Sequence, residues 1–227
     1  MIEYTFLLKD GHARTIVVDP ERVANASAPM GAADAPPWTL LETNKCPHCP
    51  LSSRETPVCP PAYDAREVLK LFSDIVSCEV IDVRVKTPER EISKRCDVQT
   101  ALMAVLGLIM ASSACPILSE LRAMAIFHLP FSNHTETIYR TTANHLLKQF
   151  FAARRGEEPD YRLEKLRKLY ADLEELNNAF FARIKAAAKE DANLNALMHL
   201  LAMSMLVTAS MDEGLVELEH FFLPAQR

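Results

Sequence analysis

The alternation of apolar and polar positions at the start of the chain predicts a β-hairpin. Apolar residues occupy alternate positions over residues 4–8, and a β-branched run follows at residues 15–18. Asp10 and Gly11 lie between the two segments and are typical of a tight turn. Residues 80–85 alternate in the same way and predict a further strand.

The pattern between these strands is less regular. Residues 38–42 predict a short third strand, and residues 20–37 predict a surface loop. Residues 43–62 hold several prolines and predict an irregular loop, the Cys/Pro-rich loop. A helix with one apolar face is predicted from Asp64, which caps it, to about Ser77.

Farther along the chain, apolar positions recur in steps of three and four, which is typical of helices. Asp97 and Asp160 are predicted N-caps, and Gly156 is a predicted helix stop. The predicted helices cover residues 97–113, 116–127, 135–155, 160–184 and 193–222. We therefore expect an α+β fold packed as one unit. Residues 1–95 form a small N-terminal antiparallel sheet with one helix, and residues 96–227 form a C-terminal bundle of about five helices.

Composition and charge narrow the functional classes. Hydrophobic residues make up 49% of the chain and charged residues 24%, which is ordinary for a globular protein. The chain has five glycines and neither of the common Gly-rich phosphate-loop motifs, which disfavours nucleotide binding through such a loop. A net charge of −5 provides no basic field, so we expect no nucleic-acid partner.

The apolar stretches of the sequence predict a soluble, cytoplasmic protein. The apolar run at residues 6–8 is too short for a signal peptide. The apolar stretch at residues 101–111 is about half of the roughly 20 residues that a membrane span needs, so we expect no membrane association. In a reducing compartment, the six cysteines are expected to be thiols, metal ligands or redox groups rather than three disulfides.

Cysteine next to proline is the strongest chemical signal in the sequence. The cysteines that directly precede proline are Cys46, Cys49, Cys59 and Cys115. Four thiolates from two or three loops can form a tetrahedral zinc site, with an iron–sulfur cluster as the alternative. Proline stiffens a loop that lacks a hydrogen-bonded ladder. The leading interpretation is a zinc-binding protein in which Cys-Pro loops clamp the metal between the two regions.

The tetrapeptide Cys-Pro-His-Cys at residues 46–49 also resembles the active site of the periplasmic disulfide oxidase of the thioredoxin superfamily. In that chemistry the first cysteine lies at a helix N-terminus, which lowers its pKa. This chain departs from the pattern, because prolines after residue 49 prevent a long helix and residues 43–45 are not an apolar strand end. A thiol redox function of Cys46 and Cys49 remains an alternative interpretation.

Four segments resemble an uncharacterised bacterial family, a domain of unknown function. They are KCPHCPL from residue 45, GLIMASSACP from residue 107, FHLPF from residue 127 and ETIYR from residue 136. The resemblance covers about residues 38–180. It implies no activity, but it singles out Cys46, Cys49, Cys115, His128, Glu136, Tyr139 and Arg140.

Several interpretations are open for the last four residues of this set, His128, Glu136, Tyr139 and Arg140. His128 is expected at a helix C-terminus, and Glu136 and Arg140 are spaced for an i,i+4 ion pair. In a metal site, His128 can replace Cys115 as the fourth ligand, with Glu136 accepting its hydrogen bond. In an enzyme, Cys115 would be the nucleophile, His128 the base and Glu136 its orienting group. Tyr139 and Arg140 are candidates for binding a small molecule whose identity the sequence does not give.

The last predicted helix also bears on partners. It is apolar nearly all round between residues 196 and 207. A helix of that kind is either central in its bundle or covered by another subunit. We therefore expect that any homo-oligomer forms through this helix.

Overall fold

The computed structural model describes residues 1–22, 35–185 and 191–223. The strands in these ranges are β1 (Ile2–Leu7), β2 (Ala13–Val18), β3 (Val80–Lys86) and β4 (Glu91–Asp97). They form one antiparallel sheet in the order β2-β1-β3-β4. The predicted hairpin is confirmed, and its turn holds Gly11 at a φ of +83°, a left-handed backbone that favours glycine. Most of the predicted surface loop at residues 20–37 lies outside the described residues.

Two sequence predictions about the sheet were wrong. β4 was not predicted, because it is an edge strand with mostly exposed side chains and no clear apolar alternation. The strand predicted at residues 38–42 is absent. Pro37–Thr39 forms a 3₁₀ turn there, and Leu40 makes only an isolated antiparallel bridge to Val58. The bridge joins residues 18 positions apart, which local periodicity does not report.

The first helix, α1 (Pro60–Leu71), begins earlier than predicted. Cys59 is its N-cap, and Pro60 and Pro61 occupy the first two helical positions. Proline fits there because its fixed φ suits the first turn and its missing N–H would have no helical partner. Asp64 is therefore inside the helix, where its carboxylate pairs with Arg22 instead of capping.

The remaining helices confirm the α+β fold. They are α2 (Val98–Ala111), α3 (Arg122–Ile126), α4 (His134–Arg154), α5 (Glu164–Lys185), α6 (Ala192–Asp212) and α7 (Val216–Glu219). Asp97 caps α2 as predicted, accepting a 2.9 Å hydrogen bond from the Thr100 N–H. Asn133 and Glu136 form a reciprocal capping box at the start of α4. The four strands lie in the N-terminal region and most helices lie in the C-terminal region.

Two predicted helices are each divided. The segment after Pro116 forms a 3₁₀ turn at Leu118–Leu121 and then the short α3. The last helix ends at Asp212, where Gly214 adopts a φ of +76°, and α7 follows. The glycine breaks the helical path because its left-handed backbone ends the turn.

One apolar core cluster includes residues from the sheet and from the helices. Tyr4 and Phe6 of β1 are fully buried in it, as are Leu102 of α2 and Met211 of α6. Helix α6 is long and apolar enough to cross a membrane by length and composition, as some core helices also are. Of its most apolar 18-residue window, 33% is buried. Contact between two copies through this helix stays a prediction.

Candidate functional site

The four cysteines that precede proline line one small cavity. We call Cys46, Cys49, Cys59 and Cys115 the cysteine cluster. The cavity has a volume of about 20 Å³ and also touches Leu176, Phe180 and Arg183 of α5. A space of that size admits about one water-sized sphere. The fold thus brings thiols from the Cys/Pro-rich loop, the start of α1 and the segment after α2 to a space that fits a single ion.

The Cys/Pro-rich loop is held at its base by main-chain hydrogen bonds. The Leu41 N–H donates to the Pro57 carbonyl at 2.9 Å, and the Cys59 N–H donates to the Thr39 carbonyl at 2.8 Å. At the tip, a turn closes when the Cys49 N–H donates to the Cys46 carbonyl at 3.1 Å. The two ends of the loop therefore run side by side, and this turn presents both tip cysteines to the cavity.

Cys59 is the N-cap of α1, and Cys115 lies three residues before the 3₁₀ turn at Leu118–Leu121. Burial raises the pKa of both thiols, and nearby N–H groups oppose it: that of Ala62 at Cys59, and those of Leu118 and Ile117 at Cys115. Unpaired N–H groups at a helix start favour negative charge. These N–H groups therefore offset part of the effect of burial on the two thiols.

His48 fastens the loop tip to α5. Its Nε2 lies 3.1 Å from the Asp172 carbonyl oxygen, and its Nδ1 lies 3.1 Å from the Glu175 carboxylate. These contacts occupy both ring nitrogens, so His48 acts here as a tether. The sequence reading treated this histidine only as part of a redox motif.

Arg183 is the buried cation beside the cysteine cluster. Its side chain is 2% exposed, and its guanidinium donates to the carbonyls of Trp38 at 2.7 Å, Leu40 at 2.5 Å and Leu41 at 3.3 Å. No carboxylate among the described residues forms an ion pair with it. A buried charge without a counter-charge is costly, so the position calls for a neighbouring anion.

Burial dominates the acidity of the thiols. It raises the pKa of Cys46 to about 12 and that of Cys115 to about 11, and it also raises the pKa of Cys59. The charge of Arg183 opposes this shift at Cys46 and Cys59. A nucleophilic or redox cysteine needs the opposite shift, toward a lower pKa. The thioredoxin-like interpretation also lacks its helix, because Cys46 lies in a turn.

The thiols share the cavity without forming a closed coordination shell. In the described ranges, no three His, Cys, Asp or Glu side chains are arranged so that they hold a metal ion. All six cysteines lie in these ranges and are free thiols.

The four residues from the HLPF and ETIYR segments lie elsewhere. His128 contacts the Tyr4 hydroxyl at 2.5 Å and lines a second, larger cavity. Glu136 is used in the α4 capping box, and its expected ion pair with Arg140 is not among those formed by the described residues. Tyr139 is half exposed and stacks on Phe222. The structure does not join Cys115, His128 and Glu136 into one site.

Arg140 also lines the second cavity. Its guanidinium donates to the carbonyls of Met124 at 3.0 Å and Phe127 at 2.8 Å. Of the two binding candidates at residues 139 and 140, only the arginine lines this cavity.

Sequence reasoning missed Arg183, although a signal was present. Arg183 lies three positions after Phe180 and seven after Leu176, on the predicted apolar stripe of α5. An arginine on a buried helical stripe is unusual and marks a buried charge.

Comparison with known proteins adds the family. The family described as Domain of unknown function (DUF6901) matches residues 2–223, so the chain belongs to it. The predicted resemblance to a family of unknown function is thereby confirmed, over a longer range than residues 38–180. No curated protein and no solved structure matches the chain.

Proposed function

We propose that this member of the DUF6901 family binds one zinc ion through its cysteine cluster. The ion would clamp the Cys/Pro-rich loop to the helical region. The observation that carries the proposal is the convergence of four thiols, distant in sequence, on one ion-sized cavity. Four sulfur ligands suit a structural zinc site, which needs no open position for substrate.

The charge balance supports this assignment. A zinc ion with four thiolates carries a net charge of about −2. Arg183 lowers the pKa of Cys59 and Cys46, and nearby N–H groups lower that of Cys59 and Cys115, so both supply positive potential on the protein side. The same arginine lacks a carboxylate partner among the described residues, and a zinc–thiolate centre would provide the missing anion.

The clamp explains how an irregular loop is held. Residues 43–58 contain no helix and no strand beyond the bridge at Val58. Main-chain hydrogen bonds hold the base of the loop. The tip is held by the contacts of His48 and, in this proposal, by the zinc ion that the thiols bind. Metal binding would add folding free energy because the unfolded chain has no site. Coordination requires rotation of the cysteine side chains about χ1 and release of their protons.

Metal analysis of the purified protein tests the proposal. Protein prepared without chelator should carry about one zinc per chain, and Cys115→Ser or Cys46→Ser should lose it. Cys78→Ser and Cys96→Ser are matched controls, because these two cysteines do not line the cavity. They should retain the metal.

Thiol titration separates the proposal from its alternatives. Four of the six thiols should be masked until a chelator is added. Loss of two thiols on mild oxidation, with no metal present, would instead support the redox interpretation. Bound iron with inorganic sulfide, or a metal-free protein of unchanged stability, would contradict the zinc assignment.

A further inference from the structure

We propose that the second cavity binds a small monocarboxylate with an apolar body, and that Arg140 pairs with its carboxylate. The cavity lies between α2, α4, α5 and α6, and it does not include the cysteine cluster. The proposal therefore stands or falls independently of zinc binding.

The cavity is large enough for a small organic molecule. Its volume is about 180 Å³. An apolar protein cavity of roughly 150 Å³ can hold benzene, so this space admits about six to eight non-hydrogen atoms. A larger, drug-sized ligand would need roughly twice the volume or more.

The walls are mainly apolar and adaptable. Leucine and alanine side chains line much of the cavity, and four methionines join them: Met103, Met110, Met124 and Met203. Methionine is flexible and polarizable, so it adapts to ligands of different shape. The wall chemistry therefore favours an alkyl or aryl body over a sugar or a nucleotide.

Most polar groups at the cavity are already paired within the protein. The Tyr170 hydroxyl donates to Thr141 at 2.8 Å, and the Asn177 amide donates to the Ser204 hydroxyl at 2.9 Å. His128 is occupied by its contact with Tyr4 at 2.5 Å. None of these contacts neutralises a full charge.

Arg140 is the exception, because its charge has no partner in the described chain. Burial lowers the pKa of its guanidinium, and its two hydrogen bonds both use Nη2 and end on main-chain carbonyls. An arginine has five N–H donors, so donors remain for a ligand. Glu136 acts on Arg140 through its charge, but its carboxylate is held in the capping box. A carboxylate can accept a charge-assisted hydrogen bond from the remaining Nε or Nη1 donors.

The position of Arg140 suggests how the ligand would lie. Thr137, one turn before it on α4, and Ser132 also line the cavity and are only partly buried. Leu173 and Leu108, at other parts of the wall, are buried. The carboxylate would therefore lie near α4, and the apolar body would extend toward α2 and α5.

Titration calorimetry with hexanoate on the full chain tests the proposal. Hexanoate should bind saturably, while 1-hexanol and acetate should each bind at least tenfold more weakly. Arg140→Gln should weaken hexanoate binding by about tenfold to a hundredfold, since it removes a charge-assisted pair. Arg154→Gln is the matched control, because Arg154 is exposed on the same helix. It should bind hexanoate as the parent does.

A second variant tests the cavity itself. Gly107 lines the cavity on α2, and a side chain there would narrow it. Gly107→Leu should weaken hexanoate binding even if Arg140→Gln fails to fold. Equal binding of hexanoate and 1-hexanol would overturn the role of Arg140, and absence of hexanoate binding would overturn the site.

Discussion

Each of the two cavities is lined by one arginine, but the remaining walls differ. Arg183 is fully buried and adjoins four thiols in a space of about 20 Å³. Arg140 is partly buried and adjoins methionines and leucines around about 180 Å³. Both guanidinium groups donate to main-chain carbonyls, and no carboxylate in the described residues pairs with either.

In the two proposals, the same kind of cation would pair with two kinds of anion. Thiol walls and a single-ion volume favour a metal–thiolate centre. Apolar walls and a larger volume favour an organic anion. In both proposals the buried or half-buried charge would be balanced by an anion, and the choice of anion rests on the surrounding side chains.

Substitution of Arg183 should change the free energy of unfolding most. Its result can show that the two arginines do not differ as proposed. Arg183→Met should lower the free energy of unfolding by about 3 kcal/mol in zinc-loaded protein, because it leaves a buried anionic centre without its cation. After chelation the cost should shrink, since the anion is no longer present. Urea unfolding of parent and variant, with and without chelator, measures both costs. An equal cost in the two states would show that Arg183 does not compensate a metal centre.

Arg140→Met provides the counterpart in the same assay. It should lower the free energy of unfolding by about 1 kcal/mol, because removing a partly exposed charge costs less than removing a buried one. Chelation should leave that cost unchanged, since Arg140 lies outside the cysteine cluster.

Protonation of His128, which lines only the larger cavity, should cause an intermediate loss of stability. Burial lowers the pKa of His128 to about 4, whereas an unfolded histidine has a pKa near 6.5. Below pH 6.5 the unfolded chain takes up a proton that the folded chain does not, so stability should fall between pH 6.5 and 4. The loss at this half-buried ring should be about 2 kcal/mol.

The pH dependence of unfolding checks this assignment. The difference between the parent and His128→Asn should shrink as the pH falls through this range, because the variant lacks the titrating ring. A difference that stays constant from pH 7 to pH 4 would contradict the buried neutral imidazole.

Gly107→Ala should give the smallest effect and sharpen the account of the larger cavity. A Cβ at this helical position would lie 3.5 Å from the Leu200 Cδ2, an ordinary contact. Alanine should therefore raise the free energy of unfolding by up to about 1 kcal/mol through its helix propensity. Thermal unfolding measures the change. A clear loss of stability would mean that this wall is tightly packed, which is not expected beside a cavity of this size.

Local rules predicted the elements whose signals lie within a few residues. Asp97 caps α2 because its carboxylate reaches an N–H three residues away. Gly156 follows α4 with a positive φ, as its position after the helix implied. β4 escaped prediction because an exposed edge strand has no buried face to create a period.

The candidate site was likewise predicted only in part from local sequence. Spacing and proline neighbours were enough to select the cysteine cluster, whose members line one cavity. The role of Arg183 depends on how α5 packs against the segment at residues 38–41, which no local pattern reports. The larger cavity depends on packing among four helices, so the sequence could name Arg140 but not the space that it lines.

X-ray absorption at the zinc edge tests the central claim most directly. The account predicts about one zinc per chain with four sulfur neighbours at about 2.3 Å. A first shell of nitrogen or oxygen at about 2.0–2.1 Å would contradict the assignment of the cysteine cluster. Protein with no bound zinc after purification and reconstitution would contradict it as well.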